Sequence, residues 1–240
     1  MRIAIVSDAH GNRRAFDAVL ADLRKVAPDM VLHGGDLAAN GAHPEVVVDQ
    51  MQSLGWQGVC GNTDEMLWRP QRLEEIGKTQ PKLAKILAAF KEIVPATRER
   101  LGEGRLQWLQ ALPPVYRCQD LTLVHASPND LWRAPLPGAG DIEFQNTYAT
   151  LKSETVVYGH IHRPHIRKLG NLTVANTGSL SLSYDGDPRA SYLVLDGPSI
   201  TIRRVDYDVA TEARELLCSG LSHAAWLSRI LQSGQYCPPE

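Results

Sequence analysis

The chain is poor in the features that mark several large protein classes. It has no apolar run approaching the roughly 20 residues needed to span a bilayer. Its four cysteines, Cys60, Cys118, Cys218 and Cys237, lie far apart and form no Cys-x-x-Cys pair, so neither a disulfide framework nor a zinc ribbon is expected. Cys60 reads instead as a packed thiol at a buried strand end. Charge of neither sign dominates: 25 Lys and Arg stand against 27 Asp and Glu, which argues against a broad nucleic-acid-binding face. There is no Gly-x-Ser-x-Gly elbow, no Walker loop and no His-Glu-x-x-His helix, so covalent serine hydrolases, P-loop switches and zincins find no support. The apolar stretch from Met1 to Asp8 lacks the longer core and cleavage site of a signal peptide. A cytoplasmic protein with no membrane segment is expected.

What is present is ordinary in bulk and specific in detail. With 240 residues, 43% hydrophobic and 22% charged, the chain is long enough for one sizeable core, and a single domain over 1–240 is expected. Arg2 to Ser7, Met30 to His33 and Trp56 to Cys60 read as strands. Asn12 to Val26, with apolar Ala15, Phe16, Val19, Leu20 and Leu23, and Pro44 to Leu54 read as helices between them. This βαβαβ order calls for a parallel sheet with right-handed crossovers. Residues 65–114 are richer in Leu, Ala, Lys, Glu and Arg, with helices expected over Lys82 to Ile93 and Arg105 to Leu112. They read as a helical insertion that either caps a cleft or forms a layer away from it. Strands resume at Val115 to Cys118, Leu121 to His125 and Thr155 to Tyr158. Hairpins follow, turning at Gly170-Asn171 and Asp196-Gly197. A helix over 142–152 and a helical stretch over 208–232 complete an α/β fold of two packed sheets flanked by helices.

Five short motifs each follow a predicted strand: Asp8-Ala9-His10, Gly35-Asp36, Gly61-Asn62-Thr63-Asp64, His125 within Leu123-Val124-His125-Ala126, and Gly159-His160-Ile161-His162. From 19 Gly and 8 His in the chain, Gly-His-x-His should arise by chance only about 0.02 times. In α/β sheets ligands bind at the carboxyl ends of strands, where these residues fall. If the strand conformation persists, period-two alternation puts Asp8 and His10 on one side, and likewise His160 and His162. Carboxylate, amide and imidazole donors together suit divalent transition metals rather than calcium. A pair of such ions suits phosphate-ester hydrolysis.

In this order, the motifs resemble the calcineurin-like metallophosphoesterase superfamily, from residue 1 to about 205. The phrases Leu123-Val124-His125-Ala126-Ser127-Pro128, Tyr158-Gly159-His160-Ile161-His162-Arg163-Pro164 and Asn176-Thr177-Gly178-Ser179-Leu180 look most like its small prokaryotic phosphodiesterase-type branch. The resemblance implies the two-sheet α/β sandwich of that family. It also implies two metal ions (Mn, Fe, Co, Ni or Zn): one held by Asp8, His10, Asp36 and His162, the other by Asp36, Asn62, His125 and His160. Asp36 would bridge them, and a bridging hydroxide would attack phosphorus in line. Asn62, His125 and Asp64 are the candidates for catalytic roles; Asp64 orients its neighbours or caps a helix. Many superfamily members carry a His, thought to protonate the leaving group, where this chain has Thr63. Members of the small prokaryotic branch often lack it too. General-acid help is worth roughly 100- to 10,000-fold, so Thr63 biases the reading toward good leaving groups or another donor.

The expected activity is that of a phosphodiesterase on a small or nucleotide-like phosphate ester. A phosphomonoesterase or a dinucleoside polyphosphate hydrolase is the enzymatic alternative. A partner-binding scaffold, or a nucleotide-binding regulator with weak hydrolysis, is the other class; retention of all seven ligand candidates argues against the scaffold. Trp132, Arg133 and Tyr184 are candidates to line the cleft, and Arg163 to meet a phosphate. His33 reads as a strand histidine. His43, His165 and His223 read as surface residues. Oligomeric state is not legible.

Overall fold

Ile3 and Ile5 alternate with Ala4 and Val6 along β1 (Arg2–Val6), so both faces of this strand are apolar. A strand of that kind belongs inside a layered α/β fold. The computed structural model, which describes residues 1–239, sets β1 at the middle of a five-stranded sheet. β2 (Met30–His33) and the two-residue β3 (Gln57–Gly58) run parallel beside it. β9 (Ala190–Asp196) and β10 (Ser199–Val205) extend the other side antiparallel, in order β10-β9-β1-β2-β3. The second sheet contains β4 (Val115–Cys118), β5 (Leu121–Val124), β6 (Thr155–Tyr158), β7 (His165–Leu169) and β8 (Leu172–Asn176) in order β4-β5-β6-β8-β7. Its three central strands are parallel and its edges antiparallel.

The alternation along the strands builds the layers. Ile3, Ile5, Leu32 and Val59 meet Leu121, Leu123, Val157 and Ala175 between the sheets. Leu123 is fully buried there, and its truncation to Ala should cost about 2–5 kcal/mol. The opposite face of β1, Ala4 and Val6, packs on α1 (Arg13–Val26) and α2 (Pro44–Leu54) through Phe16, Val19, Val47 and Met51. Val124, Val156 and Tyr158 pack instead on Phe144 and Tyr148 of α6 (Asp141–Tyr148). Asn12 caps α1 by accepting from the Ala15 amide at 2.9 Å.

From residue 62 to 110 the chain is nearly all helical: α3 (Asn62–Trp68), α4 (Arg72–Thr79) and α5 (Ala84–Gln110). This exceeds the two helices expected from spacing. Pro95, Gly102 and Gly104 look like stops in sequence. Pro95 removes one helix hydrogen bond without ending the first part of α5, whereas Gly102, at φ 67° and ψ 171°, does break it: α5 is two helices joined across a kink there, the second covering the stretch where a separate helix was expected. β3 is shorter than expected because it pairs at the sheet edge only through Leu32–Gln57 and His33–Gly58, after which the Cys60 amide turns to the Pro113 carbonyl. The last hairpin turns one residue later than expected, since Asp196 stays paired with Arg2 across β1 and β9. α7 (Val209–Cys218) and α8 (Ala224–Ser233) close the chain. No helix among the described residues is long and apolar enough to cross a membrane.

Candidate metal centre

All five motifs converge where the two sheets present the carboxyl ends of β1, β2, β5 and β6, with Asn62 at the start of α3. Asp8, His10, Asp36 and His162 are buried and offer donor atoms within 4.8 Å of one another. His162 Nε2 lies 3.2 Å from Asp8 Oδ1, and His10 Nε2 lies 3.7 Å from Asp36 Oδ2. On the other side of Asp36, its Oδ1 lies 3.5 Å from His125 Nε2. Asn62 Oδ1 stands 2.9 Å from both His125 Nε2 and His160 Nδ1. The structure therefore brings all seven sequence-derived candidates together, in two sets that share one carboxylate.

The route to convergence differs from the expected strand alternation. β1 ends at Val6 and β6 at Tyr158. Asp8, His10, Asp36, His160 and His162 all have φ between 47° and 65°. The left-handed region disfavours residues with a Cβ by about 1–2 kcal/mol each. Five such residues amount to roughly 5–10 kcal/mol, comparable with the whole net stability of a domain. The loops must be held by their surroundings, and they are. The Asp8, His10 and Gly11 amides donate to the Gly35, Asp36 and Leu37 carbonyls at 2.8–2.9 Å. The His160 amide donates across the sheets to the Asp8 carboxylate, 3.2 Å from both oxygens. Ser179 Oγ donates to the Asp8 carbonyl, and Asn176 Nδ2 to the Gly159 carbonyl.

Glycine is required where these loops touch. A Cβ on Gly61 would meet Asp36 Oδ1 at 2.0 Å, and one on Gly159 would meet Asp8 Oδ2 at 2.5 Å.

The imidazoles are preset for a cation. His10, His125 and His162 each donate Nδ1–H to a backbone carbonyl, of Ala39, Gly34 and Leu182 respectively, which leaves Nε2 as a lone pair. His10 Nε2 and His162 Nε2 then face each other at 3.3 Å, an acceptor opposite an acceptor. Burial pushes His10 and His162 down to about 4, only partly opposed by Asp36 at His10 and by the Leu182 carbonyl at His162. Burial, with His125 next, drives His160 well below its usual value. Burial raises Asp8 to about 6 against the pull of His125, and raises Asp36 also. Neutral lone pairs aimed at one another, beside carboxylates that burial works to protonate, are the donors a divalent ion stabilises.

Asp64 stands behind this cluster. Its carboxylate accepts from the Asp36, Leu37 and Gly61 amides at 2.8, 2.9 and 3.0 Å, so both sequence alternatives, orienting and helix capping, are realised. His33 is fully buried and neither ring nitrogen has a partner among the described residues; burial takes it to about 4. It is not in the cluster. His43 Nε2 lies 2.9 Å from Glu215 Oε2, His165 stands edge-on to Phe144, and His223 Nε2 lies 3.2 Å from Glu92 Oε2; all three are partly exposed and outside the cluster. Arg163 is exposed and donates to the Tyr184 carbonyl. Cys60 is a buried thiol, pushed well up by burial.

The cluster floors a recess of about 250 Å³. Asn40 and Thr63 line it, and Asn40 Oδ1 and Thr63 Oγ1 are buried without a partner among the described residues. Asn40 went unnoticed in sequence; its position four residues after Asp36 was the only signal. Trp132 and Tyr184 line the recess as expected, whereas Arg133 lines a neighbouring groove.

Residues 1–199 match the family model of the calcineurin-like phosphoesterase superfamily domain, and the chain belongs to that superfamily. By class it is a metal-dependent phosphoric ester hydrolase. It is similar over its whole length to a metallophosphoesterase from Sphaerobacter thermophilus, at 25% identity and a TM-score of 0.79, covering 98% of this chain and 99% of that one. A hypothetical protein from Pyrococcus horikoshii OT3 shares the fold at a TM-score of 0.85 and 16% identity, again covering 98% and 99%. An uncharacterized protein of Methanocaldococcus jannaschii is 26% identical over 97% of this chain and 98% of its own length.

Proposed function

We propose that the protein is a binuclear-metal phosphodiesterase acting on a small or nucleotide-like phosphate ester. The observation that carries this reading is the shared carboxylate: Asp36 Oδ2 faces His10 while Oδ1 faces His125. Asp8, His10, Asp36 and His162 would hold one ion, and Asp36, Asn62, His125 and His160 the other. Two divalent transition ions there, of Mn, Fe, Co, Ni or Zn type, would supply a nucleophile at neutral pH and neutralise phosphoryl charge.

The chain's own groups do the rest. Three imidazoles are held by backbone carbonyls at Nδ1, so each presents Nε2 to the cluster. The Thr63 amide donates to Asp36 Oδ1 at 2.8 Å and orients the shared carboxylate. The Thr63 hydroxyl and Asn40 amide face the recess as neutral hydrogen-bonding groups for an ester oxygen. Neither is acidic enough to protonate a leaving group, which favours esters whose leaving group departs unaided. Residues 65–114 act as a cap within a single domain, because Leu83, Ile86 and Phe90 line the recess.

The test compares bis-p-nitrophenyl phosphate with p-nitrophenyl phosphate on metal-stripped protein given Mn²⁺, with bound metal counted. Two ions per chain and faster diester turnover are expected. Monoester preference would favour the phosphatase alternative, and two bound ions without any turnover the scaffold. Asp36→Asn should lower turnover at least about 100-fold with circular dichroism unchanged; unchanged turnover would sink the assignment.

A further inference from the structure

The recess has a polar floor and an apolar wall, and the wall is built by three separate parts of the chain. Leu83, Ile86 and Phe90 come from the helical segment, Trp132 and Tyr184 from loops, and Tyr236 from the tail after α8. The aromatic members are held in place. Trp132 Nε1–H donates to Glu65 Oε2 at 2.8 Å. The Tyr184 ring stacks on His162 at 4.4 Å and 22°, and Tyr236 stands edge-on to Tyr184 at 5.3 Å. The tail that carries Tyr236 is tied down where the Trp226 indole donates to the Cys237 carbonyl at 2.7 Å.

Among the described residues no Lys or Arg lines the recess. Arg133 lies in the adjoining groove, and Trp132 and His160, which line both, form the partition. A second phosphate in the recess would meet rings and aliphatic chains beside Asp36, and an unpaired buried anion is strongly disfavoured. An apolar cavity of about 150 Å³ holds one benzene, so the recess of about 250 Å³ has room for a phosphoryl group and one planar ring.

Resting on the phosphodiesterase reading above, we infer that the recess selects phosphodiesters carrying a single negative charge and one planar apolar arm, seated between Phe90 and the Tyr184–Tyr236 pair. Polyphosphate and other polyanionic esters are excluded by the absence of a cation in the wall.

The test holds the p-nitrophenolate leaving group constant and varies the other arm of the diester: methyl, phenyl, thymidine 5′-yl, or thymidine 5′-yl bearing a 3′-phosphate. The phenyl arm should lower KM at least about tenfold against methyl, as burial of one ring allows. The added 3′-phosphate should raise KM at least about tenfold against plain thymidine. Phe90→Ala and Tyr236→Ala, one from each wall, should collapse the methyl-to-phenyl KM ratio toward one. Equal KM for methyl and phenyl, or tighter use of the phosphorylated arm, would overturn the inference. If no ester is turned over, the hydrolytic reading fails by itself. Calorimetric binding of methyl phenylphosphonate against methyl methylphosphonate then still decides the recess: tighter binding of the phenyl compound, lost in Phe90→Ala, upholds it, and equal binding overturns it.

Discussion

Asp64 does not itself line the recess, yet three amides of the ligand loops end on its carboxylate. Two of them belong to Asp36 and Leu37, so Asp64 sets the backbone from which the shared ligand projects. An amide in its place has only one acceptor atom, and its NH₂ must face at least one of the three N–H groups. Asp64→Asn should therefore lower stability by about 1–3 kcal/mol, read by urea denaturation. It should also weaken Mn²⁺ binding about 10- to 100-fold by calorimetric titration. Loss of stability with unchanged metal affinity would mean that Asp64 is only a helix cap. The five left-handed ligands depend on such supports; Ser179 and Asn176 serve the Asp8 and Gly159 carbonyls in the same way.

Among the elements, the seam where α1 meets α7 holds a carboxyl under strain of a different kind. Glu212 is 1% exposed, and its Oε2 has no hydrogen-bond partner among the described residues. Arg14 Nε stands 4.0 Å away, and both Arg14 and His43 are engaged by Glu215. Burial pushes Glu212 up to about 7, against the pull of His43 and Arg14. A folded-state value above the unfolded one, 4.5, favours the fold fully below pH 4.5. That contribution is lost as pH rises to about 7 and stays absent above it. Glu212→Gln removes this dependence, so its stability relative to the natural protein should grow by about 1–3 kcal/mol between pH 4.5 and 8. Urea denaturation at both pH values checks it; the same difference at each would show that Glu212 ionises freely in the fold.

Across the whole molecule, the candidate centre joins the two sheets. Asp8, Asp36 and Asn62 follow strands of the first sheet, and His125, His160 and His162 follow strands of the second. Ions held between them, as proposed above, would bind the folded protein and not its separated parts, which would link metal binding to fold stability. At 100 times the dissociation constant, each ion adds about 2.7 kcal/mol. For a chain of this size, 1 kcal/mol moves Tm by about 2–4 °C. Saturating Mn²⁺ should raise Tm at least about 5 °C above the chelator-treated protein, and Asp36→Asn should lose most of that rise. A Tm indifferent to chelator would mean that no ion bridges the sheets.

The order of strands and helices was legible from local pattern alone. Compact apolar runs such as Ile3-Ala4-Ile5-Val6 and the helical spacing of Ala15, Phe16, Val19 and Leu23 need only neighbours in sequence. The seven ligand candidates were legible for a related reason: each stands just past a strand, where a parallel α/β sheet gathers its functional groups. Three things waited for tertiary structure. The left-handed turns at Asp8, His10, Asp36, His160 and His162 are held by contacts between neighbouring loops and, at His160, by a contact across the sheets. The run of α5 past Pro95 escaped local reading because packing outweighs that stop signal, whereas the kink at Gly102 falls between the two helices that local pattern gave. Of the recess, only Trp132 and Tyr184 were anticipated; Asn40, Phe90 and Tyr236 escaped, since they lie as far as 196 residues apart and meet only when distant segments fold over one floor. A chain's own periodicity dictates what buries; which distant side chains share a cavity is decided by how the layers close.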